Sequence, residues 1–174
     1  MKPYQEKTDS VSSRKYDIFC VSQDRKGLIG EYRKYCQQKI YQICQQYGYS
    51  CFLNLYPTVK EISSQKYQEA LRHSKICFSC PGWGEWVHLD GYAIWSEVVL
   101  IKPTCHHIEM SPDIYHQDYC YQVKYDLSDL ASLIQQQVSQ FSSFHIRTKL
   151  KQGRQKLKRN KLFKSDKIWQ QLFN

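Results

Sequence analysis

The chain lacks any stretch near the eighteen or so consecutive apolar residues that a membrane-spanning helix needs, which excludes a helical span and leaves a soluble or peripheral protein as the expectation. It opens MKPYQEKTDSVSSRK, without an apolar segment and small-residue cleavage site, so the eight cysteines are expected to be reduced thiols rather than a secreted disulfide framework. At 174 residues it is too short for two Rossmann-type halves, while 41% apolar residues suffice for one sizeable core. Net charge is also absent from most of the chain. Ten of the 25 Lys and Arg lie between Arg147 and Lys167 against a single acid, Asp166, so the whole excess of +9 sits there and residues 1–146 are neutral.

What is present reads as alternating strands and helices. Tyr16 to Val21 (YDIFCV), Ser50 to Leu53, Lys75 to Cys80 (KICFSC), Val98 to Ile101 and Tyr119 to Val123 are short β-prone runs of the kind buried parallel strands give. Between the first two, Leu28, Tyr32, Tyr35, Cys36, Ile40, Ile43, Cys44 and Tyr47 form one helical stripe, stopped by Gly48. Further helices are expected from about Ser63 to His73 with Ser63 or Ser64 as N-cap, over Tyr92 to Ser96, from Asp126 or Ser128 to about Phe141, and over 145–173. The expected fold is α/β: one Rossmann-like domain with a parallel sheet of about five strands and helices on both faces. Its domains would be a disordered lead-in (1–15), the Rossmann-like body (16–146) and a basic helical tail (147–174). Ligands of such sheets bind beyond the carboxyl ends of the strands.

Ser79 to Leu89, SCPGWGEWVHL, leaves the third strand with two glycines around a tryptophan and enters a helix. A glycine-flanked strand-to-helix corner offers backbone N–H groups and a helix N-terminus to an anion; a purely structural corner with Trp83 and Trp86 as core plugs uses the same residues. The surrounding motifs, SKICFSCPGWGEW, DGYAIW, VVLIKP, SPDIY and YDLSDL, follow in order between about Ser63 and Gln140. In this order they resemble the C-terminal half of exostosin-like and related GT-B glycosyltransferases.

That resemblance implies a half-enzyme that binds a nucleotide-sugar donor and passes the sugar to a glycan or lipid-linked acceptor. A separate N-terminal GT-B half would be its partner, and no metal or resident cofactor is implied. It places the donor on Pro81, Gly82, Trp83, Gly84, Glu85, Asp90 and Lys102, with the diphosphate over the glycine loop, and names no catalytic residue; His88, in the helix start beside that loop, joins them by its position as a diphosphate contact. Three positions depart from the family pattern: Leu89 stands for an Arg, Tyr92 for a Glu, and Glu97 for a small Gly before the fourth strand.

Other constellations carry other chemistry. Cys77 and Cys80 form a CxxC, and with Cys105, His106 and His107 they make a zinc set on paper, but i and i+3 of a strand point to opposite faces. His106 and His107 also suit a base or donor contact in the loop after the fourth strand. The run KLKQGRQKLKRNKLFK suggests a second function, a non-catalytic Rossmann-like module that binds nucleic acid or an anionic membrane through residues 147–167. The expected location is cytoplasmic or peripheral at the inner membrane face, and a final helix packed across the domain is the plain alternative for the same segment.

Overall fold

A computed structural model describes residues 14–23, 26–54, 62–81, 88–104, 115 and 120–159, with side chains as far as 156. Five strands, β1 (Tyr16–Cys20), β2 (Cys51–Leu53), β3 (Ser74–Phe78), β4 (Val99–Pro103) and β5 (Cys120–Val123), form one sheet in the order β2-β1-β3-β4-β5. All four pairings are parallel. Between and after them lie α1 (Leu28–Tyr47), α2 (Ser64–Arg72), α3 (His88–Trp95), α4 (Leu130–Gln140) and α5 (Phe144–Arg159). The protein is an α/β domain of Rossmann-like arrangement. The chain leaves β1 for one edge and returns past it to β3, so the topological switch point lies between β1 and β3.

The strands exist because both of their faces are covered. β4 is buried along its whole length, including Lys102, and Ile18, Phe19, Cys20, Ile76, Cys77 and Phe78 are buried in β1 and β3. Registers Ile18↔Ile76 and Phe19↔Cys77 put each pair on one face of the sheet. Phe19 meets Tyr67 of α2 edge-on and stacks on Phe52 of β2. Cys36, Ile40, Ile43 and Cys44 of α1 are buried, as the stripe in the sequence requires. Gly48 ends α1 in the left-handed conformation, φ 70°, where a Cβ would be strained, and its N–H closes on the Cys44 carbonyl. Ser63 caps α2 by accepting from the Lys66 N–H.

Element ends differ from the sequence reading by a residue or two in several places, and two of these differences have a visible cause. β3 stops at Phe78, because Ser79 is the last residue whose N–H reaches β4, on the Ile101 carbonyl; Cys80 therefore lies beyond the strand. α4 starts later than Asp126 or Ser128 would make it, since the Asp126 carboxylate accepts from the Ser128 N–H in a turn before the helix, and Asp129 holds the cap position. α5 lies against α3 with Ile146, Leu150 and Gly153 buried. Among the described residues no helix is long and apolar enough to cross a membrane.

Candidate functional site

The carboxyl ends of β1, β3 and β4 open on the same rim of the sheet, and the GWGE segment leaves that rim after Pro81. Gly82, Trp83, Gly84 and Glu85 lie outside the described residues, as do Cys105, His106 and His107. Both flanks of the segment are described, and each is held by a buried polar cluster of its own.

The entry flank is made of sulfur. Cys20 ends β1 and Cys80 follows β3, and their Sγ atoms lie 3.8 Å apart. Cys36 of α1 also hydrogen-bonds Cys80, so two thiols surround a third sulfur. Hydrogen bonds from Cys20 and Cys36 hold the Cys80 thiol well below the usual thiol range, aided by the Arg33 guanidinium. Cys20 moves the opposite way, pushed well up by sharing its hydrogen bond with Cys80 and by full burial. Arg33 then reaches the chain itself: its Nε donates to the Pro81 carbonyl at 2.7 Å and one terminal nitrogen donates to the Gln23 carbonyl at 3.1 Å. One guanidinium thus ties the exit of β1 to the exit of β3. Beside it, the Gln37 amide donates to Ser22 Oγ and Asn54 Oδ1, and the Asn54 amide donates to the Ser22 carbonyl, which fixes the ends of β1 and β2 together.

The exit flank is ionic. Lys102, in β4, donates to Asp90 Oδ2 at 2.8 Å and to the Tyr115 hydroxyl at 2.7 Å, while that hydroxyl donates to the same Asp90 oxygen at 2.6 Å. The three side chains close a ring of hydrogen bonds, with Asp90 wholly buried and Lys102 nearly so. Such a pair is sustained in a low-dielectric interior only because charge and hydrogen bonds are matched, and removing one partner costs about 3–5 kcal/mol. Asp90 Oδ1 has no hydrogen-bond partner among the described residues, and neither has the buried Ser79 hydroxyl. The first turn of α3 is therefore bolted to β4 through Asp90.

Of the residues expected at the site, Pro81 sits at the loop entry under Arg33, and His88 is exposed at the start of α3. Asp90 and Lys102 are brought together, but to each other and in the interior. Cys77 and Cys80 are separated as strand geometry requires: Cys77 registers with Phe19, whose ring meets α2, whereas Cys80 turns to the thiols of β1 and α1. Among the described residues no group of three His, Cys, Asp or Glu side chains is arranged to hold a metal. Glu97, in the place where the resembling family has glycine, adopts φ 55°, a left-handed conformation that glycine takes without strain. Its carboxylate meets Arg154 of α5 at 3.2 Å, and that guanidinium also lies over the Trp95 ring.

Sequence reasoning missed Cys20, Cys36, Arg33 and Tyr115. A signal existed for the first: both YDIFC and KICFSC close on a cysteine at the carboxyl end of an apolar run, the end where ligands of such sheets bind. Arg33 carried none, because a helical arginine reads as solvated surface. Comparison with family models, with curated proteins and with solved structures gives no match.

Proposed function

We propose that the protein is the donor-binding half of a GT-B-type glycosyltransferase, which takes a nucleotide-sugar and acts with a separate N-terminal half on a glycan or lipid-linked acceptor. One observation carries this reading: side chains from three successive motifs, Asp90 of DGYAIW, Lys102 of VVLIKP and Tyr115 of SPDIY, converge on one buried cluster beside the exit of the glycine loop. The three motifs follow one another along the chain in the order the resemblance requires, and their side chains meet in space. In this reading Asp90, Lys102 and Tyr115 are positioning residues that hold the start of α3 toward the diphosphate. Backbone N–H groups of the loop and the positive end of the helix then stabilise the leaving diphosphate, without a metal. Leu89, buried, and Tyr92, half-buried, leave the helix without the cation and the acid the family pattern has there. Arg33 supplies a guanidinium at the loop entry instead.

Calorimetric titration of the folded protein with UDP- and GDP-sugars tests the reading. Binding of at least one donor, weakened by Glu85→Ala and by Arg33→Gln, is expected; a folded protein that binds none of them refutes it.

A second reading rests on α5. With Ile146, Leu150 and Gly153 turned inward, Lys151 and Lys156 stand exposed and Arg147 and Lys149 half-exposed, which concentrates positive charge on the outer side of a packed helix. In that reading the protein is a non-catalytic module that binds nucleic acid or an anionic membrane. Removing residues 160–174 and replacing Lys151 and Lys156 by Gln abolishes salt-sensitive binding to DNA or to anionic vesicles if it holds. Full-length protein that binds neither at low salt eliminates it.

A further inference from the structure

The entry cluster is arranged for chemistry that donor binding does not use. Cys20 and Cys80 belong to adjacent parallel strands, and because Cys20 falls opposite Phe78 in the register, Cys80 lies two residues further along on the same face. Their sulfurs stand 3.8 Å apart, against the roughly 2.05 Å of a disulfide, so a closure of about 1.8 Å joins them. Cys20 has no exposed surface while Cys80, the residue next to the rim, keeps 5%. The same Cys80 accepts hydrogen bonds from both neighbouring thiols and faces the Arg33 guanidinium, the environment that favours a thiolate. The five other thiols of the described chain differ. Cys36 hydrogen-bonds Cys80 from α1, Cys77 is buried on the opposite face, Cys120 is buried in β5, and Cys44 and Cys51 pair with each other at the far end of α1.

We propose that Cys20 and Cys80 are a reversible oxidation site, closed to a disulfide by a small peroxide and reopened by a low-molecular-weight thiol. The Cys80 thiolate attacks a peroxide oxygen; the O–O bond breaks, Cys80 becomes a sulfenic acid, and the departing hydroxide takes a proton to leave as water. The Cys20 sulfur then attacks the Cys80 sulfur, the S–O bond breaks, and the second hydroxide leaves as water with the Cys20 proton. With hydrogen peroxide the sum is two thiols and one peroxide to one disulfide and two waters. Arg33 stays bound to the Pro81 carbonyl throughout and holds the β3 exit near the β1 exit while the sulfurs approach. The product is a covalent staple across the switch point, between the two central strands.

Treatment of the reduced full-length protein with one equivalent of hydrogen peroxide tests this, followed by intact mass and non-reducing peptide mapping. The expected result is a loss of two hydrogens, a linked pair of peptides containing Cys20 and Cys80, and recovery of the original mass with dithiothreitol. The staple closes a long loop, so an upward shift of the thermal midpoint by about 5 °C or more accompanies it. Cys20→Ala, which retains a small apolar side chain, is expected to stop at the Cys80 sulfenic acid, trapped by dimedone. Linkage of Cys36 to Cys80, linkage of Cys44 to Cys51 alone, or over-oxidation without any disulfide overturns the assignment. The mass readout needs no donor, so failure to bind nucleotide-sugars leaves it unaffected.

Discussion

The two flanks of the GWGE segment are both buried, both polar and both within a few residues of it, yet they are built from opposite materials. At the entry, Cys20, Cys36 and Cys80 meet beside Pro81 through polarisable sulfur and weak hydrogen bonds, and Arg33, whose guanidinium faces Cys80, binds the Pro81 carbonyl. At the exit, Asp90, Lys102 and Tyr115 hold α3 with an ion pair sealed from water. Sulfur packs like a small hydrophobe and tolerates loss or rearrangement. A buried ion pair tolerates neither, since a survivor is left as a bare charge. The exit of the segment is therefore fixed, and the entry is adjustable.

Breaking the exit flank is expected to have the largest effect. Lys102→Met strands the Asp90 carboxylate and lowers unfolding free energy by about 3–5 kcal/mol, whereas Asp90→Leu combined with Lys102→Met restores much of it. Urea midpoints of the single and double variants measure this; a single-variant loss under about 1 kcal/mol would mean that the ring contributes no rigidity. At the entry, Cys80→Ala or Cys20→Ala costs about 1–2 kcal/mol, comparable to removing one or two buried methylenes, and the same midpoints should rank it below Lys102→Met. Equal losses at both flanks would erase the contrast.

Smaller still is the contribution of Asp17, at the opposite end of β1 and β3. Burial pushes its carboxyl up, but hydrogen bonds from Lys75 and Ser50 outweigh that and hold it below the ordinary carboxylate value. A depressed folded value means stability that is present above the unfolded carboxyl range, near pH 4, and lost as the pH falls through the folded value. Asp17→Asn should remove on the order of 1 kcal/mol at neutral pH and flatten the acid limb of the stability curve; an unchanged limb would dismiss the Lys75 pair as a contributor. The gentlest comparison is between two thiol pairs. Cys51, held at about 7 by its hydrogen bond from Cys44 and only half-buried, should alkylate with iodoacetamide in the native state at a rate that rises through about pH 7, while Cys20 stays unlabelled. Native labelling of Cys20 as fast as Cys51 would show that the entry cluster is open.

The fold was legible because its signals are local: apolar runs with strand lengths, a twenty-residue stripe, and a glycine where α1 must stop. The helix that holds Tyr92 to Ser96 was legible back to its start, where His88 stands beside the glycine loop, and it ends one residue earlier, at Trp95. What joins residues from separate elements was not legible. Asp90 and Lys102 are donor contacts only as the resemblance implies, and motif order along the chain carries no sign that packing turns them toward each other. Cys80 read as half of a CxxC because spacing along the chain was visible and its proximity to Cys20 across two strands was not. The final helix was read both as a tail and as a packed element; Ile146, Leu150 and the Arg154 to Glu97 contact show the packed element as far as Arg154.

The strand order also dictates when the molecule can become whole. β1 has β2 within reach once the chain has turned back through α1, but its other side waits for β3, so the register Tyr16↔Ser74 needs the chain as far as Ser74 and beyond. Until then Ile18, Phe19 and Cys20 have one bare edge, and β2, three residues long, adds little cover. Of the four pairings this one spans the most sequence and carries the largest loop-closure entropy, and a chain growing from its amino end holds an unfinished sheet centre until Phe78 has emerged.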